Sequence, residues 1–129
     1  MFKVAKRSIA DVEPFIHNLP ITADETYSLG EALKLTGGKL TKAGATDKPA
    51  YIAMASEVNE NGCLTVMPVL PTTFFEVTSS ATVAASLIGS AVTLGTDGLT
   101  VTATTTSGVF TIDETDGAAT NSIVVGHFA

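Results

Sequence analysis

Turn-forming residues recur at short intervals from Thr26 onward, and this spacing most constrains the fold. The chain contains twenty threonines and many valines, which are favoured in strands. The threonines and valines lie in short segments that alternate with turns such as Gly37-Gly38 and Asn61-Gly62. Gly-Gly and Asn-Gly supply the positive φ of tight two-residue hairpin loops. Roughly seven to nine short strands with turns this close indicate antiparallel β-structure rather than alternating helices and strands.

One segment interrupts the strand pattern. Residues 79–88 predict a short helix, with Ser79 or Ser80 as N-cap, alanines inside and Gly89 as the left-handed stop. The sequence therefore predicts an all-β fold, or a β-rich fold with one short helix, arranged as a small compact β-barrel or β-sandwich. The predicted strands are residues 31–35, 40–41, 51–57, 63–70, 74–78, 91–94, 99–106, 109–112 and 123–128.

A pattern of small and large apolar residues occurs twice. The letters A-x-x-L-x4-L-T begin at Ala32 and begin again at Ala91, 59 positions later, and Tyr51 falls opposite Phe110 at the same offset. Two interpretations are open. Gly-turn hairpins in a threonine-rich fold can converge on such alternation, or two related β-units can be arranged about a pseudo-twofold axis.

The first 22 residues differ from the rest of the chain. Pro14 and Pro20 interrupt them, charges of both signs alternate, and the apolar residues follow no sustained period. Each proline also removes a backbone donor, which limits any strand that this segment could add to a sheet. We expect residues 1–22 to form an extended N-terminal arm that another surface orders, and residues 23–129 to form the β-rich domain.

The charge is negative and unevenly distributed. Thirteen acidic and seven basic residues give a formal charge of −6, which argues against a nucleic-acid partner because such surfaces must neutralise phosphates. All seven basic residues lie within the first 48 positions. Those nearest the N-terminus, Lys3, Lys6 and Arg7, could belong to a docking arm or to a solvated tail.

The residue types that carry catalysis or bind metals are sparse. Cys63 is the single cysteine, so no intrachain disulfide can form, and it is interpreted as a small apolar filler. His17 and His127 have no partner at metal-ligand spacing, and His127 is expected to point from a sheet face toward water. The sequence therefore predicts a protein that is not an enzyme and has no metal, cofactor or small-molecule substrate.

Two further motifs have structural explanations. The acidic group Asp113, Glu114 and Asp116 is not a calcium loop, because Ile112 stands where an acidic ligand would be needed, and a turn between strands is expected instead. No Lys-Ser/Thr pair follows Gly37-Gly38 in phosphate-loop spacing. The longest mildly apolar run, residues 83–92, is too short to span a bilayer, so no membrane partner is expected.

The adjacent rings of Phe74 and Phe75 predict an interface. Neighbouring side chains of a strand face opposite sides, so one ring enters the core and the other is left outside or meets a neighbour. This pair is a candidate subunit interface.

The run AxxLxxGxLTKAGATDKPAYIA, the strand GCLTVMPV and the closing VVGHFA together resemble the capsid decoration, or cement, proteins of tailed bacteriophages. The resemblance covers residues 23–129 and depends on turn spacing and small-residue strands. It implies a compact β-domain that is made in the host cytoplasm, binds the major capsid protein on the outer surface of the virion as a homotrimer, and stabilises the head.

The resemblance also implies that the N-terminal arm docks on the major capsid protein. The arm residues expected to bind are Phe2, Lys3, Val4, Lys6, Arg7, Ile9 and Phe15. Two alternatives remain open from the sequence. One is a structural module of a phage tail or fibre, and the other is a carbohydrate-binding attachment domain that would use Tyr27 or Tyr51.

Overall fold

The computed structural model of the chain describes residues 1–7 and 15–128. Their regular structure consists of short strands and one 3₁₀ turn, Ala85–Leu87, with no α-helix among the described residues. The strands are β1 (Lys3–Arg7), β2 (Ile16–Pro20), β3 (Ala32–Thr36), β4 (Lys39–Lys42), β5 (Tyr51–Ala53), β6 (Cys63–Pro68), β7 (Thr73–Thr78), β8 (Ala91–Val92), β9 (Phe110–Thr115) and β10 (Ile123–Phe128).

These strands form two antiparallel sheets of five strands each. The first sheet has the order β1-β7-β10-β9-β8, and the second has the order β2-β6-β5-β3-β4. The predicted all-β class is confirmed. Each sheet has two end strands, so the arrangement corresponds to the sandwich alternative and not to a closed barrel.

The predicted Gly37-Gly38 turn is confirmed, and a turn also forms at Asn61-Gly62, where only the glycine has a positive φ. Gly37 and Gly38 have φ values of 59° and 78°, and they join β3 to β4. Gly62 has a φ of 74° and ends the turn before β6, which pairs with β5 as expected. Asn59 supports this second turn, because its Oδ1 accepts the backbone N–H groups of Asn61 and Cys63 at 2.9 and 3.0 Å.

The predicted helix over residues 79–88 is wrong. Only Ala85–Leu87 forms a 3₁₀ turn, and no side chain caps it. In a helix capped by Ser79, the backbone N–H of Val83 would donate to the carbonyl of Ser79. It donates instead to Ser122 Oγ at 2.9 Å, and the carbonyl of Val83 accepts the hydroxyl of Thr115 at 2.7 Å. The predicted strand 99–106 is also reduced, to bridges at Val101.

The repeated sequence pattern extends to the fold. The order β2-β6-β5-β3 in the second sheet matches the order β7-β10-β9-β8 in the first. Partner residues recur at offsets of 59 or 60 positions. The matching pairs are Ala32↔Ile52 and Ala91↔Thr111, Tyr51↔Pro68 and Phe110↔Phe128, and Ile52↔Met67 and Thr111↔His127.

Two unrelated hairpins with similar turns would not be expected to share the order of four strands. The segments 32–35 and 91–94 lie at the same place in the strand order of their sheets, which favours two related β-units over convergence. The unit formed mainly by the second sheet is called here the first β-unit, because it comes earlier in the chain, and the other is called the second β-unit. The pseudo-twofold axis stays a prediction.

The core consists of two apolar clusters. The larger cluster contains the rings of Phe2, Phe75, Phe110 and Phe128, whose centroids lie 5.0 to 6.2 Å apart. Residues of the second sheet also belong to it, so the larger cluster joins the two sheets. The smaller cluster lies on the other side of the second sheet. Its buried members are Tyr27, Leu33, Leu40, Ala53, Leu64 and Val66.

The expectation that residues 1–22 form an arm ordered only by another surface does not hold for the described part of this segment. Lys3–Arg7 pairs with β7, and Ile16–Pro20 pairs with β6. The physical reason is Phe2, which is only 2% exposed and completes the aromatic core. Pro20 is tolerated because β2 is an end strand of its sheet.

Candidate binding surface at the N-terminal strand

An apolar cleft of about 200 Å³ opens beside β1 and is called here the N-terminal cleft. All three methionines of the chain contribute to its wall. Methionine side chains are flexible and polarizable, so a wall of this kind adapts to apolar groups of different shape. The lining residues are Met1, Phe2, Lys3, Val4, Leu29, Gly30, Ala53, Met54 and Met67.

Backbone contacts hold the N-terminus in place at the cleft. The N–H of Phe2 donates to Gly30 O at 2.9 Å, and the N–H of Gly30 donates to Ala53 O at 2.8 Å. The N-terminal amine of Met1 donates to Leu99 O. Burial lowers the pKa of this amine, an effect partly opposed by the negative charge of Asp97.

A glycine is required at position 30, because the Met1 side chain packs directly against its backbone. Its φ is 81°, which side chains other than glycine rarely adopt, and a Cβ at this position would contact the Met1 side chain. The bare backbone of Gly30 therefore lets the first residue pack against the loop that precedes β3.

The rim of the cleft is exposed and apolar. Met1 is 46% exposed and Leu29 is 47% exposed, and both line the cleft. Apart from the N-terminal amine and Lys3, the lining groups carry no charge. Such a cleft is suited to holding one large apolar side chain, and it lacks the converging polar groups that orient a substrate for reaction.

The basic residues of β1 contact acids of the same chain. Lys3 Nζ lies 2.7 Å from Glu76, and Lys6 Nζ lies 3.2 Å from Glu114. Lys6 also lies over the ring of Phe74, 5.5 Å from its centroid. These lysines are therefore already paired within the chain, although exposed pairs of this kind contribute only about 0–1 kcal/mol each. Their contact with a partner stays a prediction.

The other predicted arm residues have different positions. Phe2 is a core residue that also lines the N-terminal cleft, so it is not a side chain of a free arm, and its contact with a partner stays a prediction. Val4 is half-buried and lines the N-terminal cleft, and the backbone of Arg7 ends β1. Phe15 precedes β2 and is 40% exposed. Ile9 lies outside the described residues.

The prediction for the adjacent phenylalanines is confirmed in its geometry. Phe75 is fully buried in the larger cluster, so it cannot belong to a subunit interface. Phe74 lies half-buried on the outer face of the first sheet, where the ring of His127 meets it at a centroid distance of 5.4 Å. Of these two residues, only Phe74 stays a candidate for a subunit interface.

Several polar contacts were not foreseen from the sequence. His127 Nδ1 lies 2.7 Å from Asp113 Oδ2 on the neighbouring strand, so this histidine does not simply face water. Asp113 and Glu114 belong to β9, so the expected acidic turn retains only Asp116, whose carboxylate accepts the N–H groups of residues 118 and 123. Within residues 1–7 and 15–128, no group of three or more His, Cys, Asp or Glu side chains could hold a metal ion.

The carboxylate of Glu31 is buried, and the sequence did not reveal it. Glu31 is 1% exposed, and it pairs with Lys42 at 2.9 Å and accepts the backbone N–H of Ser28 at 3.0 Å. Both oxygens therefore have partners, as buried carboxylates require. Glu31 stabilises the loop that carries Leu29 and Gly30 to the cleft.

The tyrosines give little support to a sugar-binding platform. Tyr27 is buried in the smaller cluster, and its hydroxyl donates to Leu40 O at 3.1 Å. Burial is the main cause that raises the pKa of Tyr27 to about 12. Tyr51 is half-buried in β5.

Comparison with known proteins identifies no relative. No protein-family model matches the chain, and no significant match occurs among curated proteins or solved structures. In the part of the chain that the structure describes, none of the helical segments is long and apolar enough to cross a membrane.

Proposed function

We propose that the protein is a capsid decoration protein that binds the outer surface of the major capsid protein of a tailed bacteriophage and stabilises the head, without catalysing a reaction. The sequence resemblance of residues 23–129 suggests the partner. The observation that carries the proposal is the N-terminal cleft, because it offers an adaptable apolar recess with an exposed rim on a rigid two-sheet scaffold.

In this proposal the N-terminal strand β1 is a fixed wall of the binding cleft and not a free arm. β1 is part of the first sheet, and its residues form one wall of the cleft. The shell protein would place a large apolar side chain between Met1 and Leu29. No ordering of β1 is then needed on binding, which removes a cost of about 1–2 kcal/mol per residue in backbone entropy.

Energetics favour a multivalent complex. Burial of one large apolar side chain contributes about 1.5–3 kcal/mol, which by itself gives weak binding. Three clefts on one trimer would raise the effective concentration of the second and third contacts, and avidity can add a factor of about 10² to 10⁴. A homotrimer on the capsid surface is therefore part of the proposal.

Co-sedimentation with phage heads that lack the protein tests the cleft. Leu29→Glu places a charge at the rim and is expected to lower head binding at least about tenfold, because one unpaired charge must be desolvated. Ile88→Glu is the matched control, since Ile88 is 49% exposed and does not line the cleft. Equal binding by both variants and the unaltered chain would contradict the role of the cleft, and failure of the unaltered chain to bind would contradict the function.

The oligomeric part of the proposal has its own measurement. Light scattering on decorating protein released from heads is expected to give three times the chain mass of 13.2 kDa. A mass of one chain under all conditions in which the protein binds heads would remove the avidity argument for the free protein.

A further inference from the structure

The two related β-units differ at one edge. At an offset of 59 positions, Phe15 and Ile16 of the first β-unit correspond to Phe74 and Phe75 of the second. The correspondence follows from strand pairing, because Ile16 pairs with Val66 of β6 and Phe75 pairs with Gly126 of β10. β2 and β7 are therefore the same strand of the repeated unit.

In the second β-unit, β1 covers this edge. It runs antiparallel to β7, and its residues pair with residues 73–76. Phe2, the residue before this strand, lies against Phe75, with a centroid distance of 6.2 Å. On the outer side Lys6 lies over Phe74. The added strand thus supplies one aromatic ring to the core and one ammonium group to the surface.

In the first β-unit, no strand among the described residues pairs with the outer edge of β2 at residues 15–18, and β4 meets the chain just after β2, through the bridge between Ile21 and Leu40. β2 is the end strand of its sheet, and Phe15 is 40% exposed. Ile16 is only half-buried and packs against the smaller cluster, whereas its counterpart Phe75 is fully buried. An end strand that presents unpaired backbone groups beside apolar side chains is a template for pairing with another strand.

We propose that the edge of β2 at residues 15–18 binds an extended polypeptide segment of a partner protein, in the antiparallel direction that β1 adopts on β7. Backbone hydrogen bonds to β2 would supply affinity, and a large apolar side chain in the position of Phe2 would cover Ile16 and the smaller cluster. His17 corresponds to Glu76, the partner of Lys3, so this edge does not require a lysine in its ligand. The inference goes beyond the proposed function, because it defines a polypeptide-binding edge whichever protein supplies the segment.

The first test is hydrogen exchange on the free full-length protein. The open edge predicts that outward backbone N–H groups of residues 15–18 exchange much faster than those of residues 73–76. Strong protection of residues 15–18 in the free protein would mean that the chain itself already covers β2, and it would overturn the proposal.

The second test uses a peptide with the sequence of residues 1–7, Met-Phe-Lys-Val-Ala-Lys-Arg, because this sequence is known to fit the corresponding edge. At millimolar concentration, the peptide is expected to shift the amide resonances of residues 15–18 and to slow their exchange. A control peptide with alanine in place of phenylalanine should bind at least about tenfold more weakly. A tenfold change in affinity corresponds to about 1.4 kcal/mol, and the free energy of burying a phenylalanine side chain exceeds this value. Resonance shifts only at residues 73–76, or none, would overturn the proposal.

Two variants of the protein complete the test. Phe15→Ala should leave the urea midpoint of the free protein unchanged but weaken peptide binding, because Phe15 is 40% exposed and no strand within residues 1–7 and 15–128 covers it. Phe74→Ala should lower the urea midpoint, because Lys6 and His127 pack against its ring. A larger loss of midpoint for Phe15→Ala than for Phe74→Ala would also overturn the proposal.

Discussion

The backbone N–H of Phe2 donates a hydrogen bond to the carbonyl of Gly30, 2.9 Å away, and so links the start of the chain to the loop before β3. β1 belongs to the first sheet and β3 belongs to the second. This hydrogen bond therefore connects the two sheets at the N-terminal cleft, where Met1 and Leu29 form the exposed rim. The N-terminal strand is thus a structural part of the domain and a wall of its candidate binding surface.

Phe2→Ala is expected to destabilise the protein by about 3–5 kcal/mol, because it removes a buried ring that meets three other phenylalanines. Urea unfolding followed by circular dichroism measures the change. Lys3→Ala serves as the control and should cost no more than about 1 kcal/mol, since its ion pair is exposed. A loss below about 1 kcal/mol for Phe2→Ala would mean that β1 is not part of the core.

Gly30→Ala should destabilise the protein more than Gly37→Ala. Both glycines have positive φ, so each alanine costs about 1–2 kcal/mol from the backbone alone. Only at Gly30 would the new Cβ also contact Met1, whereas the space around Gly37 is open. The difference between the two unfolding free energies measures the packing of Met1, and equal values would contradict the described position of the N-terminus.

Acid stability should depend on Asp47. A hydrogen bond from Lys34, with a second from the Gly44 backbone, holds the pKa of Asp47 below its usual value of 3.8. Because the folded pKa is lowered, the stabilisation is present above pH 3.8 and is lost as the pH falls through the folded value. Asp47→Asn should therefore flatten the fall in melting temperature below about pH 4. An unchanged acid slope would contradict this assignment.

Alkaline stability should depend on Tyr27, whose pKa burial raises from 10.0 to about 12. The unfolded state loses this proton first, so the stabilisation is complete below pH 10 and is lost as the pH rises from 10 to 12. Tyr27→Phe should reduce the loss of unfolding free energy in this window and remove the last tyrosinate absorbance step. A titration in which Tyr27 of the unaltered protein ionises near pH 10 would contradict its burial.

Local signals explain why much of the fold could be predicted from the sequence. Gly37, Gly38 and Gly62 determine their turns through their own backbone preferences, and alternation within residues 73–78 correctly separates Phe75 from Phe74. The repeat at 59 positions was also visible, because equivalent strands retained similar side chains.

The errors concern long-range contacts. The place of Phe2 depends on Phe75, Phe110 and Phe128, which come more than 70 positions later, so residues 1–7 resembled a free arm. The helix predicted over residues 79–88 does not form because Ser122 and Thr115, which come more than 30 positions later, bind the backbone N–H and carbonyl of Val83. The N-terminal cleft was missed for the same reason, since its wall combines residues from separate parts of the chain.

Cryo-electron microscopy of decorated phage heads would show the proposed binding mode itself. We expect the two-sheet domain on the outer surface of the shell, with the rim residues Met1 and Leu29 against the major capsid protein and an apolar side chain of that protein in the cleft. Heads without this density on their outer surface, or with the cleft facing solvent, would contradict it.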